Sequence, residues 1–133
     1  MDPTSWMLFG RSTAEVRGDP GYNTAMHVPT PDPALERLLW HVVEVMNPLE
    51  VWLFGSRAEG RSRPDSDYDL LVVLADDVEA DAFDPVRAWK VGRDVRVPAD
   101  IVACTHAEFV EDQHEIDTLA RAAVTRGRKI FEH

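Results

Sequence analysis

The sequence predicts an α/β fold, in which helices pack on a small mixed β-sheet within a single domain. Three apolar segments rich in β-branched and aromatic residues indicate strands at about residues 50–54, 68–74 and 99–104. Because the second and third segments are continuous apolar runs, we expect helices to cover both faces of the sheet. A chain of 133 residues has room for one such core and is too short for two ordinary domains.

The first 31 residues differ in composition from the rest of the chain. They contain four prolines and three glycines and show no sustained apolar period. This pattern predicts an irregular N-terminal extension over residues 1–31, followed by the domain itself over residues 32–133.

The first helix has a clear start and a clear end. Asp32 is a suitable N-cap, and Pro33 is well placed at the first helical position. An apolar stripe at helical spacing follows, and the dipeptide Asn47-Pro48 ends it.

Weaker signals place the remaining elements. A helix is predicted within residues 82–92, where apolar residues recur at helical spacing. Thr105 and Glu108 have the spacing of a capping box and predict a short helix directly after the third strand. A last helix is predicted over residues 115–126, and a short edge strand over residues 129–131.

Composition narrows the class of function. A net charge of −10 argues against nucleic acid as a partner, since general nucleic-acid binding requires a basic surface. No run of eighteen apolar residues and no secretory signal are seen, so we expect no membrane association. The single cysteine, Cys104, excludes an internal disulfide and fits a cytoplasmic location.

A glycine-serine pair and an acidic pair are the most informative residues of the chain. Gly55 and Ser56 follow the first predicted strand, and ten residues separate them from Asp67, which stands with Asp69 at the start of the second. Alternation along a strand places the two carboxylates on one face, with Cα atoms about 7 Å apart. Carboxylates this close repel each other unless a cation lies between them, and such oxygen ligands suit Mg²⁺ bound together with substrate phosphates. The small turn lets backbone N–H groups approach a phosphate.

This region also resembles two other ligand-binding motifs, and the sequence excludes both. The segment from Gly55 to Ser62 is close to a P-loop, but it lacks the lysine, and Pro64 blocks the helix that must follow. A calcium-binding EF-hand loop starting at Asp65 would need glycine and glutamate where Leu70 and Asp76 stand. A solvated turn would account for the acidic pair alone, but it gives no reason for the glycine-serine pair upstream.

The arrangement of Gly-Ser, ten residues and Asp-x-Asp resembles the nucleotidyltransferase superfamily that includes DNA polymerase β. Within it, the chain is similar over about residues 32–131 to the minimal prokaryotic nucleotidyltransferases of the toxin–antitoxin type, many encoded beside a small helical HEPN protein. The resemblance implies the nucleotidyltransferase fold and a third acidic residue on a neighbouring strand, for which Asp100 is the candidate. The implied catalytic and metal-binding residues are Asp67, Asp69 and Asp100, and the implied nucleotide-binding residues are Gly55, Ser56 and Arg57.

The resemblance also implies a reaction. A nucleoside monophosphate, AMP from ATP, would be transferred to a hydroxyl with the help of two Mg²⁺ ions, or Mn²⁺ in their place. Relatives that act on antibiotics or nucleic acid usually carry an additional helical domain, so we expect a HEPN-type partner to complete the site and to be the acceptor. The chain would then be an antitoxin that modifies its toxin. Two alternatives stay open: an inactive binding module that neutralises a helical partner, and a small-molecule nucleotidyltransferase acting as a homodimer.

Overall fold

A computed structural model describes residues 26–27, 32–63 and 66–133. These residues form one mixed sheet of five strands in the order β1-β5-β2-β3-β4, in which β3 and β4 are parallel and the other pairs are antiparallel. The strands are β1 Met26–His27, β2 Glu50–Phe54, β3 Tyr68–Leu74, β4 Ala99–Thr105 and β5 Arg128–Glu132. The helices are α1 Pro33–Met46, α2 Ser56–Glu59, α3 Pro85–Val95, α4 His106–Asp112 and α5 Leu119–Arg126. The predicted fold class is confirmed.

Helices cover both faces of the sheet, as the apolar strands predicted. On one face, α1 and α3 pack over a core centred on β2 and β3. On the other, α4 and α5 cover a smaller cluster built around Leu71, Val73 and Phe109. Within the described ranges, no helix is both long enough and apolar enough to cross a membrane.

The caps of α1 match the sequence prediction. The Asp32 carboxylate accepts hydrogen bonds from the backbone N–H groups of Ala34 at 3.0 Å and Leu35 at 3.3 Å. Asn47 ends the helix in the left-handed conformation with φ of 49°. The predicted capping box of α4 is also present, with Thr105 and Glu108 each bonding the other's backbone N–H.

Three predicted boundaries need correction. The α3 helix, predicted within residues 82–92, spans Pro85–Val95: Asp84 caps it after a separate 3-10 turn at Ala80–Phe83, and it continues three residues past residue 92 to the left-handed C-cap at Arg96. The α5 helix begins at Leu119 rather than at residue 115, because Thr118 is its N-cap. The β5 strand does not lie at the edge of the described sheet, since β1 pairs with its outer side.

Part of the predicted N-terminal extension is described. Met26 and His27 pair with Glu132 and Phe131 of β5, and the His27 imidazole lies 2.9 Å from a Glu36 carboxylate oxygen on α1. The prediction for residues 1–25 and 28–31 lies outside the described residues.

Candidate active site

The three acidic residues selected from the sequence meet at one end of the sheet. Asp69 in β3 pairs in register with Asp100 in β4, and residues paired in this way project to the same face. Asp67 stands two positions before Asp69 and therefore also belongs to this face. On its other side Asp69 pairs with Phe54, the last residue of β2. The strand adjacency that only the resemblance implied is thus present.

Gly55 brings the glycine-serine turn into contact with this acidic row. Its backbone has φ of 75° and ψ of −159°, a conformation that is essentially restricted to glycine. A Cβ at this position would overlap the Asp69 carboxylate, whose Cγ would be 3.1 Å away. The Gly55 carbonyl accepts hydrogen bonds from the N–H groups of Ala58 and Glu59, both at 3.1 Å, and so starts α2. The predicted phosphate-binding turn and the predicted metal-binding acids therefore form one compact site.

The acidic row is electrostatically unfavourable as it stands. Burial raises the pKa of the Asp69 carboxyl above its usual value, and the nearby charges of Asp100 and Asp67 raise it further. Asp67 and Asp100 are exposed, and none of the three forms an ion pair with a described residue. A bound cation would remove this repulsion.

The donor chemistry of the row fits a hard divalent cation that shares its ligands with a substrate. Among the described residues, no group of three or more His, Cys, Asp or Glu side chains is arranged to hold a metal ion by itself. Mg²⁺ commonly takes only one or two protein carboxylates and completes its shell with water and substrate phosphates. The three carboxylates are thus suited to a cation that binds together with a nucleotide.

Arg57 connects the turn to the acidic pair. Its guanidinium donates two hydrogen bonds to the Ser66 carbonyl, from Nε at 3.2 Å and Nη2 at 2.8 Å. It also lies over the Tyr68 ring, 4.3 Å from the centroid. These contacts hold the residue that directly precedes Asp67, so Arg57 supports the geometry of the acidic pair. Its expected nucleotide contact stays a prediction, as do the expected roles of Gly55 and Ser56.

Tyr68 is a supporting residue that the sequence reasoning missed. Its hydroxyl donates a hydrogen bond to the second carboxylate oxygen of Asp32, at 2.5 Å. Burial raises the pKa of Tyr68 to about 12, and the hydrogen bond to Asp32 adds to this rise. Strand alternation placed Tyr68 on the face opposite Asp67 and Asp69, but nothing in the sequence indicated a partner 36 positions away.

Cys104 offers no competing nucleophile. It lies in β4, partly buried against the cluster beneath α4 and α5. Burial raises the pKa of its thiol to about 12, and the acidic side chain of Glu108 raises it as well. At neutral pH the thiolate is therefore scarce, as expected for a cysteine that acts as a small apolar residue.

The family model of the nucleotidyltransferase domain matches residues 35–127, which include every candidate site residue. A crystal structure of a toxin–antitoxin with AMP-PNP aligns with a TM-score of 0.52 and 23% identity, over 74% of this chain and 73% of the other. A double Asp-to-Glu mutant of the toxin–antitoxin MntA-HpeT aligns with the same TM-score and coverage at 21% identity. No curated protein matches significantly.

These two structures share the fold of this chain, and the family match covers most of its length. The matched segment runs from α1 to the end of α5 and contains the turn at Gly55 and the acidic row. The chain therefore belongs to the nucleotidyltransferase domain family.

Proposed function

We propose that this chain is a metal-dependent nucleotidyltransferase that transfers AMP from ATP to a hydroxyl of a partner protein. The observation that carries the proposal is the contact between the Gly55 turn and Asp69, with Asp100 in register beside it. The proposed triphosphate-binding turn, the proposed cation-binding carboxylates and the proposed base would thereby be within reach of one another.

Each residue of the site has a role in this reaction. The backbone of Gly55 and Ser56 would bind the triphosphate. Asp67 and Asp69 would hold two divalent cations, Mg²⁺ or Mn²⁺, and Asp100 would share one of them. When bound, these cations would neutralise charge on the triphosphate and on the attacking oxygen.

The acceptor oxygen attacks the α-phosphorus, and a new oxygen–phosphorus bond forms as the bond to the β-phosphate bridging oxygen breaks. The proton of the acceptor hydroxyl passes to the carboxylate of Asp100, and pyrophosphate leaves with the bonding electron pair. Asp100 suits the role of base because it is exposed and lies beside Asp69.

The choice of ATP and of a protein acceptor draws on the structural neighbours. One of them is a toxin–antitoxin that contains the ATP analogue AMP-PNP. The other replaces two aspartates two positions apart, which is the spacing of Asp67 and Asp69. We extend both features to this chain: it would bind ATP and act in the cytoplasm as an antitoxin on a small helical HEPN-type protein.

A second candidate function is favoured by one observation. Among the described side chains, no three potential metal ligands are already arranged around a common point. A non-catalytic binding module, which neutralises its partner through the fold alone, would have no need of such an arrangement. The small-molecule alternative would instead show transfer by a homodimer without a protein partner.

Thermal unfolding with Mg²⁺ and ATP tests the proposed site. A ligand present at a hundred times its dissociation constant adds about 2.7 kcal/mol to the free energy of unfolding. We expect a Tm increase of several degrees for the wild type and none for Asp67→Asn/Asp69→Asn. The control Asp77→Asn/Glu79→Gln removes two exposed charges beyond the other end of β3 and should keep the shift.

Transfer is then measured with α-labelled ATP and the co-purified partner. The double aspartate variant should lose nearly all incorporation, since phosphoryl transfer depends mainly on positioning and charge neutralisation. A thermal shift without any incorporation would support the binding module, whereas full incorporation by the variant would refute the mechanism.

A further inference from the structure

Exposed apolar side chains are concentrated on α4, on the start of α5 and on the turn of residues 113–118 that joins them. Ile116 is 81% exposed, Val110 43% and Leu119 42%. Three of the six exposed large apolar side chains of the described residues thus lie within ten consecutive positions. We call this region, residues 106–121, the α4/α5 surface. Apolar side chains grouped on a surface in this way indicate a site of protein contact.

The turn holds these side chains close together and in place. The Thr118 hydroxyl lies 2.6 Å from the carbonyl oxygen of Asp112, and it caps α5 by accepting a hydrogen bond from the Arg121 N–H at 3.1 Å. Arg121 in turn donates a hydrogen bond from Nη1 to the Gln113 carbonyl at 3.4 Å. The end of α4 is therefore bonded to the start of α5, and Ile116 stands on a turn that is fixed at both ends. A side chain held on such a turn loses little conformational freedom when it binds.

The charge around Ile116 is strongly negative. Residues 106–121 contain one arginine and five acidic residues: Glu108, Glu111, Asp112, Glu115 and Asp117. None of the five forms an ion pair with a described residue. Apolar side chains surrounded by such carboxylates complement a basic partner with an apolar centre. They do not suit a second copy of this chain, because a two-fold contact would place the same carboxylates against one another.

The α4/α5 surface belongs to the face of the sheet from which the acidic row is reached. Asp69 shares its face of β3 with Leu71, which packs in one apolar cluster with Phe109 of α4. Leu71 lies two positions from Asp69, which is about 7 Å along the strand. A stable protein interface covers about 800 Å² on each partner, which corresponds to a disc about 30 Å across. A protein bound to the α4/α5 surface would therefore extend over Asp69 and its acidic neighbours.

We propose that the α4/α5 surface is the docking site of the partner protein, which meets it with an apolar patch for Ile116 surrounded by lysine or arginine side chains. This inference rests on the proposed function and adds the surface through which the acceptor protein is held. The carboxylates would form ion pairs with the basic rim, and Ile116 would be removed from water against the apolar patch. The docked partner would then present its hydroxyl on the face of Asp69 and Asp100.

A fluorescein-labelled amphipathic peptide of leucine and lysine, LKKLLKLLKKLLKL, is a probe with this chemistry, and fluorescence anisotropy measures its binding to the full chain. We expect Ile116→Ser to bind the peptide about tenfold more weakly than wild type, because the apolar contact at the centre of the surface is lost. Val86→Ser is the matched control. It removes an apolar side chain that is 56% exposed on α3, on the opposite face of the sheet, and binding should not change.

A second pair of variants tests the role of charge. Glu111→Gln/Glu115→Gln removes two carboxylates of the α4/α5 surface and should also weaken peptide binding about tenfold at low salt. Glu44→Gln/Asp94→Asn removes two exposed carboxylates from α1 and α3, on the other face, and should leave the affinity within about twofold of wild type. No binding by the wild type, equal losses in the two charge variants, or full binding by Ile116→Ser would each overturn the proposal.

Two controls exclude misfolding and self-association as causes of lost binding. The Tm of Ile116→Ser should equal that of wild type, because the replaced side chain is largely exposed. Sedimentation velocity tests the competing occupant: a wild-type dimer that Ile116→Ser dissociates would assign the surface to a second copy of this chain and overturn the proposal.

The proposed function can fail independently of the docking surface. The thermal shift with Mg²⁺ and ATP should be the same in Ile116→Ser as in wild type, because Ile116 lies outside the acidic row and the Gly55 turn. AMP transfer to the co-purified partner should fall about tenfold in this variant at partner concentrations below the dissociation constant. Undiminished transfer would overturn the docking surface and leave the chemistry intact. Peptide binding that depends on Ile116 and on the α4/α5 carboxylates, without any AMP transfer, would support the docking surface and count against the chemistry.

Discussion

Tyr68 and Asp69 are neighbours in β3, but their side chains point to opposite faces of the sheet and experience opposite conditions. Tyr68 is 4% exposed, its hydroxyl is bonded to Asp32, and its ring is covered by the guanidinium of Arg57. Asp69 has no ion-pair partner among the described residues, and Asp67 and Asp100 repel its charge.

The two faces at the start of β3 therefore differ in what they contribute to stability. On the Tyr68 face the polar atoms are paired, and Asp32 both caps α1 and fixes the strand. On the Asp69 face three carboxylates lie close together without an ion-pair partner among the described residues, and their repulsion lowers stability; a bound cation would relieve it. The favourable contacts on the Tyr68 face can therefore compensate for the electrostatic repulsion among the carboxylates on the Asp69 face.

The largest effect on stability is expected at the contact between the two halves of the site. Gly55→Ala requires a backbone conformation that is open essentially to glycine alone, and its methyl group would overlap the Asp69 carboxylate. We expect a loss of about 3 kcal/mol in the free energy of unfolding, measured by urea denaturation. The nucleotide-induced thermal shift should disappear as well.

Gly60→Ala is the matched control. Gly60 also has a positive φ, of 74°, but a Cβ there would meet no atom within 4 Å. The loss should therefore be only about 1 kcal/mol, the conformational cost alone. Equal losses of unfolding free energy in the two variants would show that the contact with Asp69 does not affect stability.

Much of the fold was predictable because its signals are local. The Asp32-Pro33 start, the Asn47 end and the capping box of α4 each depend on residues within one turn of helix. The same Asp-Pro signal was present at Asp84 and Pro85, where the true start of α3 was missed because apolar spacing was followed instead. The position of β5 inside the sheet depends on pairing with β1, which a two-residue strand cannot signal.

The residues of the candidate site also fall into two groups: those that local sequence patterns predict and those whose position depends on tertiary structure. Spacing and strand alternation were sufficient to select Gly55, Asp67 and Asp69, since all of them flank one loop. The position of Asp100 required the order of the strands, which only the family resemblance implied. The contacts of Arg57 and Tyr68 depend on tertiary structure, so no sequence pattern predicted them.

The next largest effect on the free energy of unfolding is expected at Tyr68. Tyr68→Phe removes the hydrogen bond to Asp32 but keeps the ring under Arg57, so we expect a loss of about 1 kcal/mol in unfolding free energy. Since the carboxylate of Asp32 still caps α1, the helix should persist by circular dichroism. An unchanged free energy of unfolding would show that the hydrogen bond contributes nothing.

The same residue predicts a pH dependence. Its folded pKa of about 12 lies above the unfolded value near 10, so its contribution to stability is fully present below pH 10 and is lost as the pH rises through 12. The stability of the wild type should therefore fall towards that of Tyr68→Phe over this window. Urea titrations of both proteins at pH 9 and 11 measure the convergence; a constant difference would contradict it.

The smallest effect on the free energy of unfolding is expected at Asp69, where a substitution should increase stability. The raised pKa of Asp69 means that its ionisation disfavours the folded state, and this penalty is absent below the unfolded pKa and complete above the folded one. At pH 7 and without metal, Asp69→Asn should therefore be more stable than wild type, by about 0.5 kcal/mol. Mg²⁺ with ATP should reverse the order, because only the wild type gains stability from the ligands. Thermal unfolding in the two conditions measures both signs; a variant less stable than wild type without metal would show that the acidic row is not under electrostatic strain.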